Sequence, residues 1–120
     1  MSIAADLIRG NTDTIILAQL MTGDSYGYRI NNAIRTATDH RYELKEATLY
    51  TAFRRLEESG YISSYWGDED IGARRRYYAI TDEGRAAYRR MVSDWKNAYE
   101  LISRLILLNN DHETEGIEAI

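Results

Sequence analysis

The stretch that decides the fold runs from residue 43 to residue 78 and reads ELKEATLYTAFRRLEESGYISSYW, then GDEDIGA, then RRRYY. Its first half places apolar side chains at the three- and four-residue spacing of one helix face: Leu49, Ala52, Phe53 and Leu56. This spacing predicts an amphipathic helix from Glu46 to Ser59 whose apolar face packs inward. The opposite face carries small, hydroxylated and basic side chains: Ala47, Thr48, Tyr50, Thr51, Arg54 and Arg55. Such a surface can enter a groove.

Gly60 is expected to end this helix, because glycine readily adopts the backbone conformation of a helix C-terminus. Tyr61 to Trp66 and Arg74 to Ile80 then alternate like two strands joined by a glycine-bounded turn. A helix followed at once by a two-stranded basic hairpin predicts a winged helix.

Two more helices are predicted ahead of this stretch. We expect one continuous helix from Ala5 to Met21, although the Thr12-Asp13-Thr14 cluster could equally start a new one. A second helix begins at Tyr26, follows the apolar spacing of Ile30 and Ile34, and ends near Thr38. Residues 41–44 form a short connector that could pair with the hairpin.

The last helix is predicted to start at the capping residue Thr81 and to continue to Leu108, a length of roughly 40 Å at 1.5 Å per residue. Its apolar residues follow the four- and three-residue spacing of a coiled-coil seam, widened by neighbouring leucines. The residues assigned to the seam are Tyr88, Val92, Trp95, Tyr99, Ile102, Leu105 and Ile106. An exposed stripe of this size predicts a two-fold homodimer through this helix and the first one.

The predicted fold class is therefore mainly α with a small β-hairpin, a winged helix-turn-helix followed by a long C-terminal helix. We divide the chain into a winged-helix DNA-binding domain (1–80), a dimerisation helix (81–108) and an acidic disordered tail (109–120).

Composition narrows the function. The 120 residues make one domain, without cysteine and with two separated histidines, so neither a disulfide nor a metal site is expected. No apolar run is long enough to cross a membrane, and the first residues lack the pattern of a signal peptide, which predicts a cytoplasmic protein. No nucleophile or base is placed by a catalytic motif. We expect no enzyme activity and no cofactor.

The formal net charge of −4 counts against nucleic-acid binding. The charges are unevenly distributed, however, because the tail is acidic while the third helix and the hairpin carry Lys45, Arg54, Arg55 and Arg74 to Arg76. The sign of the charge on the proposed DNA-binding surface matters more than the net charge of the whole chain. The acidic tip from Asp68 to Asp70 remains at odds with this interpretation.

The second and third helices would form a helix-turn-helix unit, in which the first crosses the phosphate backbone and the second enters the major groove. We assign DNA binding to Tyr26, Lys45, Ala47, Thr48, Tyr50, Thr51, Arg54, Arg55, Arg74, Arg75 and Arg76. Glu57 and Glu58 lie at the far end of the third helix, away from these residues. In a homodimer, two third helices would read the half-sites of a pseudo-palindromic operator.

Both groups of arginines have a plainer interpretation. Arg54 and Arg55 could be solvated residues paired with a nearby acid, and the pattern favours neither view. On a strand Arg74 and Arg76 point one way and Arg75 the other, so at least one face can contact phosphates. The same side chains could instead protect an edge strand from aggregation.

Several linked motifs in one order resemble a known family: YGY, ATLYTAFRRLEESGYI, GARRRYYAITDEG and a tryptophan in the final helix. From Arg9 to about Leu108, the chain is similar to the PadR family of bacterial transcriptional regulators, and most similar to its short subgroup with one C-terminal helix. The resemblance implies a dimeric winged-helix repressor, often of a multidrug exporter gene, that releases or adjusts its operator when it binds a small molecule.

In that subgroup the tryptophan matched by Trp95 faces its mate across the dimer and sandwiches flat aromatic ligands, some of them cationic. The resemblance implies a ligand cavity lined by Leu7, Ile8, Asp13, Met91, Val92, Trp95 and Tyr99. Asp13 would offset a ligand's positive charge. The chain departs from its drug-binding relative at Tyr99, where that relative has a carboxylate. Without the resemblance, Trp95 would be interpreted as a packing residue of the dimer.

Two other classes of function were weighed. A winged-helix module that binds protein rather than DNA is motivated by the sequence pI of about 5.2 and the acidic tip. An enzyme using the paired carboxylates Glu57 and Glu58 is disfavoured, because adjacent helix residues cannot readily converge on one bond.

Overall fold

The computed structural model describes residues 3–68 and 74–108. Its elements are α1 (Ile3–Ile8), a 3-10 turn (Arg9–Asn11), α2 (Thr12–Leu20), α3 (Gly27–Ala37), α4 (Glu46–Glu58), β1 (Ile62–Trp66), β2 (Arg76–Ile80) and α5 (Asp82–Ile106). This order confirms the predicted mainly helical fold with one hairpin and a long last helix. The chain divides into two units, the first ending at Tyr88 and the second beginning at Arg89. The predicted tail and most of the acidic tip, residues 109–120 and 69–70, lie outside the described residues.

The first helix is interrupted, so the prediction of one continuous helix from Ala5 to Met21 is wrong. A 3-10 turn at Arg9–Asn11 separates α1 from α2. Gly10 has low helix propensity, and the hydroxyl of Thr12 donates a 2.8 Å hydrogen bond to the carbonyl of Arg9. α2 therefore starts at Thr12, which agrees with the alternative that the Thr12-Asp13-Thr14 cluster starts a new helix.

The core of the first unit is formed by one face of each of three helices and by the hairpin. The buried residues of these helices include Ile16, Leu17 and Leu20 of α2, Ile30 and Ile34 of α3, and Leu49, Ala52, Phe53 and Leu56 of α4. The last four are the inward face that the spacing predicts. The ring of Phe53 stacks on Tyr78 of β2 with centroids 3.9 Å apart, so helix and hairpin share one core.

The two strands pair antiparallel, from Ile62 opposite Ile80 to Trp66 opposite Arg76. β2 has a second neighbour, because Ser25 exchanges both backbone hydrogen bonds with Tyr78, at 3.1 and 2.7 Å. The connector at 41–44 forms no strand with the hairpin in the described part of the chain, so its suggested pairing is wrong. The connector is instead held by α3.

The link from α3 to α4 is held by side chains at the end of α3 and by one in its middle. The hydroxyl of Thr38 bonds the backbone of Tyr42, and Arg35 lies 3.6 Å from the carboxylate of Glu43. The chain turns through Asp39 and His40, both in the left-handed region with φ of 53° and 62°. The amide of Asn31 then donates a 2.7 Å hydrogen bond to the carbonyl of Leu44 and accepts a 2.8 Å bond from its N–H. Leu44 is itself buried. These two hydrogen bonds fix the backbone of Leu44, two residues before the start of α4.

The long helix α5 begins directly on the hairpin. The hydroxyl of Thr81 accepts a 2.9 Å bond from the N–H of Gly84 and donates a 2.7 Å bond to the carbonyl of Gly60, which confirms Thr81 as the N-cap. A Cβ on Gly84 would overlap the carbonyl oxygen of Tyr61. Only glycine allows this close approach. The first turns of α5, up to the buried Ala87, therefore pack within the first unit.

Within the described ranges, no helix combines the length and the apolar character that crossing a membrane requires. In the same ranges, no cluster of three or more histidine or acidic side chains is arranged to hold a metal ion.

Candidate nucleic-acid interface

The outer face of α4 is exposed from its first residue to its last turn. All six residues that the sequence assigns to this face, from Ala47 to Arg55, are exposed, and so is Lys45 at the N-cap position. Tyr50 also has a packing role. Its ring meets Phe53 edge-on with centroids 5.5 Å apart, and its hydroxyl lies 2.7 Å from where a Cβ on Gly27 would be. Tyr50 therefore spaces α3 from α4 while presenting one edge to solvent.

An open cleft of about 600 Å³ lies between α4, the start of α3 and the hairpin. Its lining combines cations, aromatic rings and one carboxylate: Arg54, Arg74, Arg75, Arg76, Tyr26, Tyr28, Tyr50, Trp66, Tyr78 and Glu57, with Gly27 at its floor. We name this surface the basic cleft. It brings together the three segments to which the sequence assigns DNA binding: the start of the second helix, the third helix and the hairpin.

The hairpin arginines of the basic cleft rest on aromatic rings. Arg74 and Arg76 lie over the indole of Trp66, with their guanidinium carbons 6.0 and 5.5 Å from its centroid. Arg75 lies over Tyr26 at 4.9 Å. Arg74 and Arg75 precede β2, and all three side chains line the same cleft, so the predicted division of the three arginines between two faces of a strand is wrong. Such contacts restrain a guanidinium without neutralising it, so its charge remains available to a phosphate.

The carboxylate of Glu57 enters the basic cleft. It accepts a 2.5 Å hydrogen bond from the hydroxyl of Ser64 and lies 3.7 Å from the guanidinium of Arg76, which in turn donates a 2.7 Å bond to Ser64. The prediction that Glu57 lies away from the basic residues is wrong. The hairpin folds back beside the last turn of α4, so Glu57 contacts the wing while Glu58 is exposed to solvent.

Arg54 and Arg55 are adjacent in sequence but have different surroundings. Arg55 forms a two-pronged ion pair with Asp13 of α2, with its Nε at 3.1 Å from the carboxylate. This hydrogen bond, assisted by the charge of Asp13 and opposed by burial, raises the pKa of Arg55 above its ordinary value. Arg54 makes no hydrogen bond or ion pair with any residue that the structure describes. Arg54 is therefore the cation of α4 that can take a phosphate without losing an internal partner.

The other face of the hairpin carries a row of tyrosines. Tyr65 stacks on Tyr77 with centroids 5.6 Å apart, and Tyr77 meets Tyr26 edge-on at 5.3 Å. The hydroxyl of Tyr65 donates a 2.6 Å hydrogen bond to Asp24, and this bond raises the pKa of Tyr65 above 10.0. The row ties the hairpin to the turn that precedes α3, and so fixes Tyr26 at the edge of the cleft.

Comparison with known proteins identifies this arrangement. The family model described as the transcriptional regulator PadR-like family matches residues 16–90, which include the helices α3 and α4 and the whole hairpin. The chain belongs to the PadR-like family of transcriptional regulators. Regulators of this family bind DNA.

Solved structures agree with this PadR-like assignment. A transcriptional regulator from Clostridium thermocellum is 50% identical, with a TM-score of 0.78, and the match covers 86% of this chain and 97% of that one. A PadR family regulator from Eggerthella lenta is 30% identical, with a TM-score of 0.76 over 87% of this chain and 88% of that one. A third, from Clostridium difficile, is 31% identical with a TM-score of 0.68, over 80% and 98% of the two chains. These neighbours are consistent with the winged-helix fold.

In the first unit of this PadR-like regulator, three residues had been assigned to ligand binding. Leu7 of α1 is exposed and Ile8 is half-buried. Asp13 is already engaged by Arg55, so its carboxylate would have to leave an ion pair, or share it, to meet a cationic ligand.

The second unit of the PadR-like chain presents apolar side chains to solvent. Trp95 and Tyr99 are 47% and 62% exposed, and their rings stack with centroids 5.5 Å apart at an angle of 20°. Met91 and Val92 are half-buried. The remaining exposed residues of the predicted seam are Ile102, Leu105 and Ile106, whereas Tyr88, at the end of the first unit, is half-buried.

Sequence reasoning did not identify three residues that position the interface. These are Asn31, Ser64 and Glu57, the last of which had been placed away from the basic residues. Asn31 carries a weak signal: it lies mid-helix beside the buried Ile30, where an asparagine must find partners, but the neighbouring Asn32 is exposed. Ser64 and Glu57 carry no such signal. Their contact depends on how the hairpin returns to α4.

Proposed function

We propose that this PadR-like regulator is a repressor that binds a pseudo-palindromic DNA operator as a homodimer in the cytoplasm and responds to a planar aromatic ligand. The observation that supports DNA binding best is the basic cleft beside the exposed face of α4. Arg54 and the hairpin arginines offer charges to phosphates along one side of a helix whose outer face also carries the small residues Ala47, Thr48 and Thr51. Phosphate contacts position such a protein, and base contacts give it specificity.

Within this proposal, α4 enters the major groove. Thr48 and Thr51, exposed at the N-terminal half of α4, approach base edges. The wing contacts phosphates through Arg74, Arg75 and Arg76, and the start of α3 near Tyr26 meets the neighbouring backbone. This distribution follows the docking geometry of helix-turn-helix proteins, in which the second helix of the pair reads the groove.

The proposed homodimer is supported by the surface of the second unit. Leu105 and Ile106 are 77% and 69% exposed, and Leu101 and Ile102 are more than half exposed. Four such residues within two turns form a stripe that a soluble chain normally covers. A second copy of the same helix covers it most simply, because the a and d spacing is self-complementary.

The proposed ligand site is supported by the Trp95–Tyr99 stack. Two parallel rings with an open face offer a stacking surface to a flat molecule, and the indole attracts a cation through its ring quadrupole. We also infer that the chain belongs to the short subgroup that contains the multidrug-responsive repressor LmrR, and that it acts on an exporter gene. Tyr99, in place of that relative's carboxylate, would favour less strongly cationic ligands.

A selection experiment tests DNA binding. Purified protein is used to enrich sequences from a random duplex library, and the affinity for the enriched duplex is measured by fluorescence anisotropy at several salt concentrations. We expect a two-fold symmetric sequence bound by two chains, with affinity that falls steeply with salt. A chain that enriches no sequence and binds no DNA at low salt would instead support the protein-binding alternative.

A dye titration tests the ligand site. The protein is titrated with a planar cationic Hoechst dye while tryptophan fluorescence is followed in wild type and in Trp95→Ala, with Trp66 as the internal reporter that remains. We expect saturable quenching in the wild type that is lost in the variant. Equal quenching in both would return Trp95 to a packing role. If dye binds but operator affinity is unchanged at saturation, the ligand has equal affinity for the free and the DNA-bound protein, and the proposed response to ligand is wrong.

A further inference from the structure

Glu57 is the one carboxylate among the described residues that line the basic cleft. Its contact with Arg76 is direct, at 3.7 Å, and it is bridged by the hydroxyl of Ser64, which donates to Glu57 and accepts from Arg76. The side chains of Arg76 and Glu57 are 43% and 35% exposed. The pair is therefore formed in the free protein and is still open to an incoming anion.

This arrangement has an electrostatic consequence for DNA binding. A phosphate oxygen that approaches Arg76 must either replace Glu57 or lie beside it, and two negative charges at such a distance repel each other. Arg54, which lines the same cleft, faces no comparable exchange because it has no ion-pair partner among the described residues. Of these two cations, Arg54 is freely available to DNA and Arg76 is conditionally available.

We infer that Glu57 is an internal counter-ion of Arg76 that suppresses binding to DNA of arbitrary sequence, and so makes tight binding depend on base contacts of α4. This inference rests on the DNA binding proposed above. Non-specific complexes are held by phosphate contacts alone, so the cost of displacing Glu57 falls on them in full. In the operator complex, base contacts made by the outer face of α4 offset the same cost. Glu57 therefore sets how much base contact is needed for tight binding, and it does not itself contact DNA.

The test compares Glu57→Gln with Glu58→Gln in the full-length chain. Both variants remove one negative charge from consecutive positions of α4, but Glu58 is exposed and does not line the cleft. Glutamine at 57 keeps an oxygen that can accept the hydrogen bond of Ser64. The affinity for a random-sequence duplex and for the selected operator is measured by fluorescence anisotropy over a series of salt concentrations, after thermal unfolding has shown that both variants fold.

We expect Glu57→Gln to bind the random duplex several-fold more tightly than wild type. Its plot of log affinity against log salt should be steeper by about 0.9, the contribution of one additional phosphate contact. Operator affinity should rise by a similar factor, because the same cost of displacing Glu57 is removed from both complexes. Glu58→Gln should change neither the slope nor either affinity appreciably.

A second pair of variants separates the ion pair from a general effect of charge. In an Arg76→Gln background, Glu57→Gln should no longer steepen the salt dependence, because no guanidinium is released. If the effect of Glu57→Gln persists in that background, or if Glu58→Gln reproduces it, the counter-ion role is overturned. If wild type binds neither duplex at low salt, the proposed DNA binding itself fails, which is a different result from equal slopes in a chain that does bind its operator.

Discussion

The side-chain amide of Asn31 bonds both the N–H and the carbonyl of Leu44, at 2.8 and 2.7 Å. One side chain on α3 thereby satisfies both backbone groups of a buried residue in the loop that follows. Because α4 begins two residues later at Glu46, the position of the DNA-facing helix is set by this contact as well as by its own core.

Removal of this amide should lower stability. Asn31→Ala leaves two backbone groups of Leu44 without their partners, and unmet bonds of this kind cost about 1–3 kcal/mol. We expect the free energy of unfolding, measured by urea denaturation, to fall by about 2 kcal/mol. Asn32→Ala is the matched control, because Asn32 is exposed and bonds only to Arg35 on the surface. Equal losses in both variants would show that the Asn31 contact contributes little.

A substitution at Gly84 should be more damaging than its helical position suggests. Alanine gains about 1 kcal/mol of helix propensity over glycine. At Gly84, however, the added Cβ overlaps the carbonyl oxygen of Tyr61, a backbone atom that cannot rotate away. We expect Gly84→Ala to lower the free energy of unfolding by about 1–2 kcal/mol, since a backbone overlap places the overpacking cost in the upper part of its range of about 1–3 kcal/mol, which exceeds the gain. Gly10→Ala, where no atom lies within 4 Å, should be neutral or mildly stabilising.

The two arginines of α4 should differ in their effect on DNA affinity. Arg54→Ala is expected to weaken binding to every sequence and to reduce the salt slope by about 0.9, because a guanidinium without an internal partner is lost. Arg55→Ala should have the smaller effect on the slope, since that guanidinium is held by Asp13. Anisotropy titrations against one duplex at several salt concentrations make the comparison. A larger change of slope for Arg55→Ala would mean that DNA displaces Asp13.

The hydrogen bond from Tyr65 to Asp24 predicts that the stability of the protein depends on pH at alkaline pH. The bond raises the pKa of Tyr65 above its ordinary 10.0, so the folded state holds the phenol proton more tightly than the unfolded state does. Its contribution to stability is therefore complete below pH 10.0 and is lost as the pH rises through the folded-state pKa. Burial also raises the pKa of Tyr78. Titration followed by phenolate absorbance should therefore show more than one late-ionising tyrosine, and Tyr65→Phe should remove one of them. In Asp24→Asn the same tyrosine should ionise earlier, and an unchanged titration in both variants would contradict the assignment.

The parts of the fold that depend on local periodicity could be predicted from the sequence. Leu49, Ala52, Phe53 and Leu56 share one helix face whatever surrounds them, so the inward and outward sides of α4 followed from spacing alone. The break between α1 and α2 was missed because an apolar pattern continues across Gly10. There the choice between one helix and two depends on a hydroxyl bonding a carbonyl rather than on hydrophobicity.

The candidate site was less predictable, because its electrostatics depend on residues far apart in the chain. Arg55 meets Asp13 from another helix, and Arg76 meets Glu57 only because the hairpin returns to α4. No spacing rule encodes either pair. The arginines themselves could be identified as candidates, whereas the partner of each one could not.

The double hydrogen bond between Ser25 and Tyr78 has a consequence for how the molecule folds. It joins a residue that precedes α3 to one near the end of the hairpin, so it closes a long loop and can form only when most of the intervening chain is in place. Opening the wing would break this pair and also pull Tyr78 from its stack on Phe53. We therefore expect the wing and the helices of the first unit to unfold in one cooperative step, with the amide hydrogen of Tyr78 exchanging with solvent through global unfolding rather than by local fraying.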